Sequence, residues 1–139
     1  MNMSSKIPVY IELRKYNHEQ GKREEIVDFI YHEMTCVGFN FEKKLFEYML
    51  KDGRFLFLFD AYDEIISTKS YKFLQELENF LTRYDKNQVI ISSRFMPHGN
   101  LDNLIGLSEL RTHGLTKQDS MAMIEKMNIE DEEIKKEFI

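Results

Sequence analysis

The chain has 139 residues, 42% of them hydrophobic and 31% charged, the balance of one soluble globular domain and not of a disordered or membrane-embedded chain. Nineteen basic residues against 24 acidic give a net charge of −5, which disfavours general nucleic-acid binding. Cys36 is the only cysteine, so an intrachain disulfide and a multi-cysteine zinc site are both excluded. Six glycines and two prolines are few for a complete nucleotide-hydrolysing α/β domain.

Residues 1–6 are polar and lack the apolar stretch of a secretory signal. The longest apolar run, 55–59, is far below the ~20 residues of a membrane helix. The expected location is therefore the cytoplasm, with no membrane contact.

In chain order, Pro8 introduces a short strand at 9–13, and a polar turn follows at 17–21. Ile26, Val27, Phe29, Ile30 and Met34 recur at helical spacing, which predicts a helix over 22–35 ended by Gly38. Asn40 is placed to cap a second helix with the stripe Phe41, Leu45, Phe46, Met49 and Leu50, ended by Gly53. Residues 55–59, FLFLF, are apolar without alternation, which predicts a strand buried on both faces of a parallel sheet. Phe73, Leu74, Leu77, Phe80 and Leu81 predict a helix over 70–84. A turn at Lys86 and Asn87 leads to a second buried strand at 89–91.

Residues 95–108 contain Pro97, Gly99, Asn100 and Gly106 and are expected to be loop. A short strand is expected at 109–113. Thr116 and Asp119 then form a capping box for a helix over 117–127. Strands alternating with amphipathic helices define an α/β domain with a mainly parallel sheet. Residues 1–116 form this core, and 117–139, with 4 basic and 7 acidic residues, begin a helical region.

The chemistry concentrates at the ends of the two apolar strands. Asp60 closes the first, with Asp63 and Glu64 in the following turn. Ligands of open parallel sheets bind at that C-terminal edge. Three carboxylates within five residues repel unless solvent, a cation or a basic partner relieves them. A strand-terminal Asp suits a hydrated Mg²⁺, and a following carboxylate can orient or deprotonate a water. The second strand ends in Ser92, Ser93 and Arg94. Arg94 can hold a phosphate or form a structural ion pair with Asp60, Asp63 or Glu64. The four histidines have no metal-ligand spacing, and Cys36 has no basic neighbour in sequence.

Residues 55–64, FLFLFDAYDE, followed about 25 residues later by VIISSR at 89–94, resemble the Walker B and sensor-one strands of NACHT domains, the STAND class of P-loop NTPases. Ala61 stands where the family more often has Gly, and Phe95 where Pro is usual. IPVYIELR at 7–14 is similar to the family's strand after its first helix, and LRTHGLTKQD at 110–119 to its last strand and entry into a helical domain. The likeness spans roughly 7–128 and rests on the order and spacing of these segments. It implies a partial P-loop NTPase three-layer α/β sandwich.

The family binds ATP on a Walker A loop, G-x-x-x-x-G-K-[ST], whose amides cradle the phosphates. The only Gly-Lys pair here, Gly21-Lys22, precedes Arg23, and Tyr16 occupies the position of the first Gly. The Walker A strand is thus missing from these residues, and the chain is expected to be a piece of a longer signalling ATPase. The resemblance implies ATP and Mg²⁺ as cofactors in the complete protein. Asp60 would hold Mg²⁺ through water, Glu64 helped by Asp63 would activate the attacking water, and Arg94 with Ser93 would contact the γ-phosphate. It also implies an N-terminal P-loop segment and a C-terminal sensor domain as partners, homo-oligomerisation on activation, and a role in defence or signalling. This chain alone is expected to be inactive. Two alternatives stand beside it: a non-enzymatic interaction or scaffold module, and an unrelated receiver-like α/β domain holding a metal on Asp60, Asp63 and Glu64.

Overall fold

A computed structural model describes residues 6–18, 25–94, 101 and 108–126. The chain divides into two compact units, Met1–Leu107 and Ser108–Ile139.

In the first unit three strands, β1 (Ile7–Glu12), β2 (Phe55–Asp60) and β3 (Gln88–Ile91), form a parallel sheet in the order β1-β2-β3. Parallel neighbours need a long crossover. Helices α1 (Ile26–Cys36) and α2 (Lys43–Asp52) supply the first, and α3 (Ser67–Arg83) the second. The α/β class read from the sequence is therefore present, as a small parallel sheet with helices.

One continuous core joins the elements. Val9, Ile11, Phe55, Phe57 and Phe59 line the covered face of the sheet, and onto them pack Phe29, Ile30 and Met34 of α1, Phe46 and Leu50 of α2, and Phe73, Leu77 and Phe80 of α3. Period-two alternation explains the selection, because every second residue of a strand shares a face.

The opposite face corrects an expectation. Leu56 and Leu58 are only half-buried, and Tyr10 and Ile90 remain 59% and 57% exposed. An unbroken apolar run predicted cover on both faces, but the described residues build two of the three expected layers. For the same reason β3 is not a buried strand: Val89 and Ile91 are half-buried and Gln88 and Ile90 exposed.

Other boundaries shift for local reasons. Residues 13–18 form a 3₁₀ segment instead of continuing into a polar turn, because Leu13 and Tyr16 turn into the core. Tyr16 meets Phe29 and Phe73 edge-on at 5.5 and 5.2 Å. Asn40 does not cap α2; the helix begins after Glu42 without a side-chain cap. Phe41 precedes the helix, where it packs half-buried against Tyr31 and Phe46. Helix α3 starts three residues before the expected position. The expected loop at 95–108 lies almost wholly outside the described residues.

In the second unit, residues 109–113 form no strand. They have no regular structure and are exposed, Leu110 at 94%. The capping box is present: Asp119 N–H donates to Thr116 Oγ1 at 3.1 Å, and Thr116 N–H donates back to Asp119 Oδ2 at 3.1 Å. Helix α4 (Lys117–Lys126) follows.

Candidate functional site

Parallel register sets Glu12 beside Asp60, so β1 and β2 end together. Tyr10, Glu12, Leu58 and Asp60 share the open face, as do Ile90 and Ser92. Three polar side chains from three consecutive strand ends therefore meet. Tyr10 donates its hydroxyl to Asp60 Oδ2 at 2.7 Å, and Ser92 donates to Asp60 Oδ1. The Ala61 amide completes the network by donating to Ser92 Oγ at 2.9 Å. Hydrogen bonds from Ser92, then Tyr10, hold the Asp60 carboxyl below its ordinary pKa, and the same bond raises the Tyr10 phenol.

Beyond Asp60 the chain reverses at Ala61, which has φ 61° and ψ 59°. This left-handed turn carries residues 62–64 over the end of β3. Tyr62 N–H donates to Ser92 O, and Glu64 N–H donates to Ala61 O. Asn17 pins the same turn: its Nδ2 donates to Glu64 O and its Oδ1 accepts the Ile66 amide, both at 2.8 Å. A residue with a Cβ is disfavoured in this conformation by about 1–2 kcal/mol. Ala61→Gly is accordingly expected to stabilise the chain by about 0.5–1 kcal/mol, after allowing for the greater freedom of glycine when unfolded. The urea midpoint measures it; no gain would mean that the turn relaxes around the methyl group.

Asp63 is engaged by Arg94. The Arg94 amide donates to Oδ1 at 2.9 Å and its Nε to Oδ2 at 2.5 Å. The Asp63 side chain is 7% exposed, whereas that of Arg94 is 84% exposed. The Arg94 amide first, and then its guanidinium, keep the Asp63 carboxyl below the usual aspartate range. Ser93 Oγ donates to Arg94 O at 2.9 Å and stands 3.5 Å from Asp63 Oδ1. Glu64 is exposed, within electrostatic reach of both Arg14 and Arg94.

The two lowered aspartates fix a sign. A carboxylate with a folded pKa below its unfolded value stabilises the fold above the unfolded value, near 3.9, and loses that contribution as pH falls through the folded one. Between pH 6 and about 2.5 the urea midpoint should fall, and it should fall less steeply in Asp60→Asn and Asp63→Asn. Equal slopes in all three proteins would contradict these hydrogen bonds.

The structure thus gathers Asp60, Asp63, Glu64, Ser93 and Arg94 at the C-terminal edge of the sheet. Tyr10, Ser92 and Asn17, which hold this edge together, were missed as site residues. Ser92 and Tyr10 have the right strand parity, a signal usable only once the register is known. Cys36 is exposed, and His32 Nε2 lies 3.3 Å from its Sγ, one helical turn away.

Among the described residues no three His, Cys, Asp or Glu side chains are grouped to hold a metal ion. Asp60 alone is compatible with Mg²⁺ held through water, because Mg²⁺ keeps several waters and uses one or two carboxylates. Two hydrogen bonds leave part of its acceptor capacity free. Among the described residues no helix is long and apolar enough to cross a membrane. No model of a known protein family, no curated protein and no solved structure matches this chain.

Proposed function

We propose that this chain carries the Mg²⁺-binding and water-activating half of a nucleotide site of the NACHT type. The observation that supports it is the strand-end constellation: Asp60 at the end of β2, Glu64 one turn later and Arg94 after β3, on adjacent parallel strands. Mg²⁺, when bound, would supply charge neutralisation for the phosphates. Asp60 would hold that ion's water, kept ionised and oriented by Ser92 and Tyr10. Glu64, exposed and with no side-chain hydrogen bond among the described residues, would orient a water for attack on the terminal phosphate. Arg94 would exchange Asp63 for a phosphate oxygen, which its exposed guanidinium permits.

The 139 residues contain no G-x-x-x-x-G-K-[ST], so the phosphate cradle would come from elsewhere and turnover by this chain alone is not expected. Titrating Mg·ATP into this chain and into Asp60→Asn tests the proposal. Expected is weak binding that needs Mg²⁺ and falls at least tenfold in the variant. Turnover by this chain, lost in Glu64→Gln, would overturn the half-site reading; Mg²⁺ binding without preference for nucleotide would favour a receiver-like site.

The Asp63–Arg94 pair favours one alternative, a non-enzymatic scaffold module. An arginine already held by its neighbour at two points fastens β3 to the turn after β2 without any ligand. Failure of both proteins to bind nucleotide would support that role.

A further inference from the structure

The carboxylates at the ends of β1 and β2 are not held alike. Glu12 accepts from Arg14 Nε at 2.7 Å, and Asp63 accepts from the amide and the guanidinium of Arg94. Asp60 has no ion pair among the described residues. Its charge rests on two neutral hydroxyls from two other strand ends, Tyr10 on Oδ2 and Ser92 on Oδ1. Tyr10 lies opposite Leu58 in the register, so its phenol reaches Asp60 diagonally, two positions further along β2. Because Tyr10 is 59% exposed, water could satisfy its hydroxyl, and burial does not demand this bond.

A carboxylate oxygen that accepts an O–H faces the positive end of that dipole. A cation in direct contact with the same oxygen is opposed by it and must displace the hydroxyl. A water in a cation's hydration shell meets no such opposition, because it approaches as one more O–H donor and the carboxylate has acceptor capacity left for it. Mg²⁺ keeps several of its waters, whereas Ca²⁺ takes carboxylate oxygens directly, singly or both together. One donor on each oxygen of Asp60 therefore opposes the contacts that Ca²⁺ uses. Among the described residues no group of three His, Cys, Asp or Glu side chains offers Ca²⁺ a cage instead.

We propose that Tyr10, together with Ser92, is a positioning residue that restricts Asp60 to water-mediated contact and so makes this site select Mg²⁺ over Ca²⁺. Selection of this kind presupposes that Asp60 is the Mg²⁺ residue. It adds what decides the ion: a phenol on β1 acting through the carboxylate on β2. Phenylalanine at position 10 would keep the ring and lose the effect.

The test titrates Mg²⁺ alone and Ca²⁺ alone into the full ¹⁵N-labelled chain, without nucleotide, and follows the amide shifts of Asp60 and Ala61. Both shifts should saturate with Mg²⁺ and be lost in Asp60→Asn. In Tyr10→Phe the affinity for Ca²⁺ should rise about fivefold, the equilibrium worth of one such hydrogen bond, while that for Mg²⁺ stays within about twofold. Ser92→Ala should move the Ca²⁺/Mg²⁺ ratio in the same direction, and Ser92→Thr, which keeps the hydroxyl, should not. A merely structural role would weaken both ions together and leave the ratio unchanged. Mg²⁺ binding that needs Asp60, with the same ratio in Tyr10→Phe and Ser92→Ala as in the parent chain, would overturn the selectivity proposal alone. No binding of either ion, or binding unaffected by Asp60→Asn, would overturn it together with the Mg²⁺ reading of Asp60.

Discussion

Phe57→Ala is expected to destabilise the chain by about 3–5 kcal/mol, the range for emptying a buried aromatic site. Against a typical total of about 5–15 kcal/mol, this removes a large part of the stability. Phe57 is fully buried in the central strand. Its ring stacks on Phe59 at 5.9 Å, meets Phe80 of α3 edge-on at 5.4 Å and touches Phe55 at 5.4 Å. No neighbour can collapse into the space, because strand backbones hold Phe55 and Phe59 and α3 holds Phe80. Phe57→Leu, which keeps most of the volume, should cost less than half as much. The adjacent Leu58, half-buried on the open face, should cost only about 1 kcal/mol as alanine. Urea unfolding of the three variants measures the contrast. If Leu58→Ala lost as much as Phe57→Ala, both faces of β2 would be covered.

Gly53→Ala is expected to cost about 2–5 kcal/mol, from two additive causes. Gly53 ends α2 with φ 73°, the left-handed conformation that closes many helices, and a Cβ there is disfavoured by about 1–2 kcal/mol. That Cβ would also lie 2.4 Å from Lys86 Cβ and 2.7 Å from Lys86 O, an overlap that moves backbone and adds about 1–3 kcal/mol. The close approach is structural: the turn before β3 rests on the turn before β2, fastened by Lys6 Nζ, which donates to Gly53 O at 3.0 Å and to Lys86 O at 2.5 Å. Asn87 ties the same corner, accepting the Phe55 amide at 3.1 Å and donating to Leu50 O at 2.8 Å. Gly53→Asn separates the causes, since asparagine tolerates the left-handed conformation but keeps the Cβ. It should lose only the overlap's share, about 1–3 kcal/mol; near-full stability would show that φ alone required glycine.

The sequence by itself determined which segments become strands and helices, and that the carboxylates of residues 60–64 follow a strand. These are local properties. Spacing of apolar residues selects the period, Gly53 and the Thr116–Asp119 pair mark helix ends, and an apolar run closed by Asp60 shows where a strand meets water. The same locality explains the errors. Nothing within residues 55–59 states whether the second face will be covered, so a run of five apolar residues predicted full cover, whereas Leu56 and Leu58 are only half-buried. Residues 109–113 have strand composition, but a strand exists only when another pairs with it. Only the tertiary structure decided register and edge. It brought Tyr10 and Ser92, 82 positions apart in the sequence, onto one carboxylate, gave Arg94 to Asp63 and turned Ala61 left-handed. Those outcomes follow from parallel pairing across long crossovers, which no short stretch of sequence encodes.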